Sequence, residues 1–175
     1  MENTSPARVP RFIGVVVIAL LVSMYCYAVY FDPTNPEKTV ENYFQAYLSK
    51  DYEMVASNLS VFLATSILPQ YLEMTPVELV NKRPEIEKDL SKVIASMEKS
   101  NSSSENTTIE VMRDYTKKGN NAAIVLYKIK IDGKDSGMQA AILIKEQGRF
   151  RIIDMTAIDP LALEQIKAEN IDELD

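Results

Sequence analysis

An α+β fold preceded by a membrane-spanning helix is what this chain predicts, and three observations carry the expectation. Residues Phe12–Phe31 (FIGVVVIALLVSMYCYAVYF) form a run of 20 residues without a charge. From Pro36 to Lys99 apolar side chains recur at helical spacing. After Asn106 the period changes to alternation, with short Gly- and Asn-containing breaks between the runs. Helices first and strands afterwards argue for helices packed on one face of a curved four-stranded antiparallel sheet.

The uncharged run comes first. At about 1.5 Å rise per residue, a helix of this length matches a hydrocarbon core of roughly 30 Å. Arg8 and Arg11 precede it, and the first charges after it are Asp32 and Glu37. The excess of Lys/Arg on the N-terminal side predicts a cytoplasmic tail (1–11), a single span (12–31) and everything beyond Asp32 outside. Tyr25, Tyr27, Tyr30 and Phe31 crowd the outer end, where amphipathic rings favour the headgroup level. A cleaved secretory signal is the competing reading, with Cys26-Tyr27-Ala28 as a small-x-small site. The run continues past that site, which favours an uncleaved anchor; cleavage near Ala28 would release a secreted module. Cys26 is the single cysteine, so an intrachain disulfide is excluded. It reads most simply as a small apolar residue of the span.

Composition narrows the chemistry further. The chain of 175 residues carries −6; its first 31 hold Glu2, Arg8 and Arg11, so the remaining 144 carry −7. A domain this acidic argues against nucleic acid and against anionic lipid headgroups as partners. No histidine is present, which removes Ser-His and Cys-His catalysis and His-based zinc sites. Trp is absent as well, weakening any case for a sugar-stacking groove. Neither a metal nor a cofactor is expected.

Asp32–Asn35 is a short, Pro-stiffened stalk before an outer domain of 36–175. Asn35 as N-cap, Pro36 at the first position and Glu37 in the first turn start a helix. Its stripe is Val40, Tyr43, Phe44, Tyr47 and Leu48. Asp51 caps a second short helix bearing Tyr52, Met54, Val55 and Leu59. Val61 to Leu68 is another helical turn or two, stopped by Pro69. Thr75-Pro-Val-Glu78 is a capping box. Pro84 opens the next helix, with Ile86, Leu90, Val93, Ile94 and Met97 as its buried face. Asn101-Ser-Ser-Ser-Glu-Asn106 is a loop.

Thr107–Thr116 reads as the first strand, with Ile109, Val111 and Tyr115 on one face, and Lys117–Asn121 as a turn. Ala122–Ile131 is the second strand, with Val125, Tyr127, Ile129 and Ile131 sharing a face opposite Ile124, Leu126, Lys128 and Lys130. Asp132-Gly133 begins a turn into a third strand, Met138–Lys145. Gln147-Gly148 makes a tight hairpin into a fourth, Arg149–Met155. The alternation fits a sheet with one face covered and the other partly open. Asp159-Pro160 starts a final amphipathic helix, and the acidic end at Ile171–Asp175 frays.

The stretch PEKTVENYFQAYLSKDYEMVASNLS, an aromatic stripe with a KDYE step into a second helix, resembles the opening of nuclear transport factor 2-like domains. MQAAILIKEQGRFRIIDM resembles their last hairpin. The resemblance spans Pro36 to Met155 and implies a cone-shaped, cystatin-type α+β fold around a pocket. It also implies a bacterial protein of the membrane-anchored or secreted kind. Phe150 stands where such hairpins often carry Trp, and the Pro69–Ser100 segment is long and helical for the family. No catalytic residue transfers.

The candidate pocket lining is Tyr43, Tyr47, Tyr127, Phe150 and Asp154. By strand parity Asp154 shares a face with Phe150 and Ile152, so it is the one acid placed to enter a cone, where apolar surroundings would raise its pKa. The plainer readings are a core stripe for the aromatics and a solvated strand-end carboxylate for Asp154. Asn58-Leu-Ser60, Asn101-Ser-Ser103 and Asn106-Thr-Thr108 match the N-glycosylation pattern, which matters only in a host that glycosylates exported chains. The expectation is a membrane-tethered extracytoplasmic binding domain for a small apolar ligand or an envelope protein partner, with no catalytic site. The alternatives are an accessory subunit of a membrane assembly and a pocket-based isomerase or dehydratase using Asp154.

Overall fold

In a computed structural model, which describes residues 18–23, 34–98, 106–159 and 163, the folded unit begins with helix α1, Pro36–Leu48. Asn35 caps it as its residue type dictates: its Oδ1 accepts from the backbone N–H of Glu37 (2.9 Å) and Lys38 (3.2 Å). Val40 is wholly buried on its inner face, whereas Leu48, at the end of the expected stripe, is 42% exposed. Helix α2 (Tyr52–Asn58) is capped by Asp51 and helix α3 (Val61–Ile67) by Ser60. A 3-10 turn follows at Pro69–Tyr71, then α4 (Pro76–Asn81) with both halves of the Thr75–Glu78 capping box formed. Helix α5 runs from Arg83 to Glu98, starting one residue before the proline expected to open it. Ile86 and Leu90 are buried there, but Met97 is 56% exposed and does not belong to the buried face. The Tyr71 hydroxyl donates to Asp89 Oδ2 (2.9 Å), tying the 3-10 turn to α5.

The sheet has five antiparallel strands: β1 (Thr107–Val111), β2 (Lys117–Lys118), β3 (Ala122–Ile131), β4 (Lys134–Glu146) and β5 (Arg149–Ala157). Their order is β1-β3-β4-β5, with β2 on the same edge of β3 as β1. The four-stranded expectation is corrected here. The single first strand Thr107–Thr116 is broken by a 3-10 turn at Arg113–Tyr115. The chain then returns to pair Lys117 with Ile124 and Lys118 with Ala123, so the expected turn begins as a strand. Both hairpin turns, Asp132-Gly133 and Gln147-Gly148, place two successive residues at positive φ (51° and 75°; 50° and 80°). That twist matches the strands they join, and glycine takes the second position without a Cβ penalty.

The core lies between the helices and the sheet face formed by Ala123, Val125, Tyr127, Ala141, Leu143, Phe150 and Ile152. Val40, Val55, Leu59, Val61, Leu79, Ile86 and Leu90 meet it from the helical side. The opposite face is not simply open: Leu126 is 0% and its strand partner Ala140 2% exposed. The outer edge of β5 is covered by the α2–α3 link, where Leu59 bridges to Ile152 and Ser60 N–H donates to the Ile152 carbonyl (2.8 Å). A covered edge cannot template pairing with another chain.

Met1–Asp32 and Pro33–Asp175 are two separate units. Among the described residues no helix is long and apolar enough to cross a membrane. Of the expected span, residues 18–23 are described and are helical; Ile18, Leu20, Leu21 and Val22 are each more than half exposed. The tail, Cys26, the Ala28 site, the first half of the stalk, the polar segment 99–105 and the chain from Pro160, apart from residue 163, lie outside the described residues.

Candidate functional site

Four of the five predicted residues sit on or against the inner sheet face. Tyr43 meets Phe44 edge-on (5.0 Å between centroids) and stacks with Tyr47 (6.4 Å). Phe44 in turn lies 4.9 Å from the Tyr127 ring on β3. Tyr127 is wholly buried and its hydroxyl donates to Gln139 Oε1 on β4 (2.7 Å), which meets the need of a buried phenol for a partner. Phe150 is 2% exposed; its carbonyl accepts from Thr39 Oγ1 in the first turn of α1 (3.2 Å). Tyr127 and Phe150 are therefore core side chains, and the aromatic group of α1 closes over Tyr127.

Asp154 is elsewhere. A β-bulge gives β5 one extra residue, Ile153, between the pairs Leu143↔Ile152 and Ile142↔Asp154. One inserted residue reverses the parity of everything after it. Met155, opposite Ala141, packs against the core, and Asp154 turns out to solvent, where its carboxylate accepts from the Met155 N–H (2.8 Å). The expectation that Asp154 enters the interior beside Phe150 and Ile152 is thus corrected. Asp154→Asn is expected to change unfolding free energy by no more than about 0.5 kcal/mol, as for other exposed substitutions. Urea titration of the two proteins checks it.

Tyr47 and Tyr127 are hydrogen-bond donors. Burial raises the pKa of Tyr43, and burial followed by the proximity of Tyr43 raises that of Tyr127. Tyr47 donates to Glu98 Oε2 (2.5 Å), and that bond, then burial and the Glu98 charge, push it from 10.0 up to about 12. A folded-state pKa above the unfolded value stabilises fully below pH 10 and is lost as the pH climbs through about 12. Alkaline titration of the phenolate absorbance should therefore show a late-titrating component that Tyr47→Phe removes, together with part of the loss of stability in that window.

A second group, which no sequence signal marked, lies at the junction of helices and sheet. Glu146, 5% exposed at the end of β4, accepts from Ser60 Oγ and pairs with Arg83 Nη2 at the start of α5. Arg83 Nη1 also bonds Glu87 Oε1 (3.0 Å), and Arg151 Nη1 on β5 stands 3.8 Å from the same oxygen. Two acids and two arginines balance. Burial, then the neighbouring Arg83, pushes Arg151 down to about 10 against the opposing pull of Glu87, so it stays charged at neutral pH. Glu146 follows an apolar strand and precedes Gln-Gly, which in sequence reads as a solvated turn acid. Only the packing of α5 against that corner removes it from water.

Among the described residues no three His, Cys, Asp or Glu side chains are grouped to hold a metal. An open cleft of about 550 Å³ is lined by Asn106, Thr107, Thr108, Asp132 and Gly133, at the far end of the sheet from Phe150. None of the five predicted residues lines it. No family model, no curated protein and no solved structure matches this chain.

Proposed function

We propose that the protein is a single-pass, membrane-tethered module whose α+β domain works outside the cytoplasm as a binding or interaction domain. The observation that carries this reading is the uncharged run of 20 residues at Phe12–Phe31, which ends five residues before α1 starts. A span so close to a folded unit holds that unit at the membrane surface. The resemblance to nuclear transport factor 2-like domains belongs to the same proposal. A long first helix laid against an antiparallel sheet supports it, as does a closing hairpin turned at Gln147-Gly148.

A protein partner is favoured over a small apolar ligand held beneath α1. Tyr127 and Phe150, two of the side chains such a ligand would touch, are already covered by protein. Acid–base catalysis has no support from Asp154, which is exposed.

The test is alkaline carbonate extraction of membranes from cells expressing the whole chain, combined with protease treatment of right-side-out vesicles. The protein should stay in the pellet at its uncleaved mass, and protease added outside should digest the domain. Release into the supernatant at a mass cut near Ala28 would replace the anchor by a signal peptide. Protection from external protease would reverse the orientation.

A further inference from the structure

The net charge of −7 on the outer part is unevenly spread. Farther along the sheet two lysines are matched, Lys128 with Asp135 (3.1 Å) and Lys130 with Glu110 (2.5 Å), while Lys134 stands alone as an exposed cation without a carboxylate partner among the described residues. At the end where α1 begins more cations stand unmatched. Glu37 and Glu41 of α1 are taken up by Arg113 (3.7 and 3.2 Å), and Glu146 is buried against Arg83. Lys118, Lys145 and Arg149 are all exposed there, and none has a carboxylate partner among the described residues. Lys118 and Lys145 bracket one ring instead, with their Nζ atoms 5.7 and 6.0 Å from the centroid of Phe150. That contact holds both ammonium groups near one ring without neutralising them.

This cationic end is also where the chain enters the domain. Thr39, in the first turn of α1, bonds the carbonyl of Phe150 itself. Residues 32–35 separate the uncharged run from α1, and four residues reach at most about 14 Å when extended. That is close to the distance, about 10 Å, over which surface charges act at moderate salt.

We propose that the end of the domain bearing Lys118, Lys145 and Arg149 docks on anionic lipid headgroups beside the protein's own anchor. The inference rests on the tether reading. It revises the expectation from net charge, which argued against anionic lipids: within about 10 Å of the surface the local arrangement of charges governs. Each basic side chain near an anionic leaflet strengthens attraction by about fivefold, and the tether removes the cost of bringing the two together. The domain is thereby held in one orientation, presenting its far end to partners.

The experiment uses the whole chain in nanodiscs of phosphatidylcholine alone or of phosphatidylcholine and phosphatidylglycerol in equal parts, read by amide hydrogen exchange. With phosphatidylglycerol, exchange in segments 117–121 and 145–151 should slow by about fivefold or more, while the Asp132-Gly133 turn stays unchanged. High salt, or Lys118→Gln with Lys145→Gln and Arg149→Gln, should abolish the effect. The charge-keeping set Lys118→Arg, Lys145→Arg and Arg149→Lys should retain it, separating lost charge from a damaged fold. Equal exchange in the two lipids, or protection at the Asp132-Gly133 end, overturns the inference and leaves the tether standing. Equal protection by inorganic phosphate in phosphatidylcholine discs would also overturn it, in favour of a phosphate site. A chain that does not stay with the discs overturns the tether reading and this inference together.

Discussion

Replacing Glu146 by Ala is expected to cost the domain about 3–5 kcal/mol, because it strands the Arg83 guanidinium in a buried site. The side chains of Arg83 and Glu146 are only 8% and 3% exposed, so solvent screens little of that penalty. Urea unfolding of the whole chain in detergent micelles, followed by circular dichroism, measures it. The ion pair itself need not be a net source of stability, since two charges were withdrawn from water to make it. Arg83→Met combined with Glu146→Leu should therefore recover most of what Glu146→Ala loses. Ser60→Ala should also lower stability, since Ser60 serves twice. Its Oγ donates to Glu146 and accepts the Phe62 N–H as the cap of α3. If Glu146→Ala unfolds at the wild-type urea concentration, the corner is hydrated and Arg83 is not stranded in a dry site.

Leu143→Ala should lose about 2–5 kcal/mol, the range for a large core side chain cut back to a methyl group. Leu143 is 0% exposed on β4, between Ala123 of β3 and Ile152 of β5, and that pairing leaves the surrounding sheet little room to collapse into the cavity. Met97→Ala is the contrast, expected within about 0.5 kcal/mol. Periodicity along α5 places Met97 with Ile86 and Leu90, yet its side chain is more than half exposed. The same urea experiment ranks the two. Equal losses would mean that Met97 is buried after all and that the stripe read from sequence was the better guide.

Helix caps and turns were legible because they depend on residues within four positions of one another. Asn35, Asp51 and Thr75 each cap a helix through their own side chains, as read from the sequence; the Ser60 cap of α3 was not read there. Asp132-Gly133 and Gln147-Gly148 adopt the positive φ pairs their composition favours. Strand β3 could be read from end to end, since ten residues of alternating or continuous apolar character leave few other options. The break after Val111 could not be read. Thr107–Thr116 alternates well enough to be one strand, and the 3-10 turn at Arg113–Tyr115 exists in a setting where Arg113 meets Glu37 and Glu41 across space.

Local sequence, then, was enough for the uncharged run at Phe12–Phe31, the order of helices and strands, the caps and the hairpin turns. These follow from hydropathy and backbone preference over a few residues. Contacts between distant segments settled the rest. The bulge at Ile153 sends Asp154 outward and Met155 inward, and a single inserted residue leaves no mark on composition. Glu146 becomes a buried acid because α5, more than 45 residues earlier in the chain, brings Arg83 to it. Lys118, Lys145 and Arg149 come from three strands, and only the folded sheet gathers them at the end where the chain enters. Burial, parity after a bulge and charge clustering belong to the assembled fold, since each is set by neighbours that the chain alone does not rank.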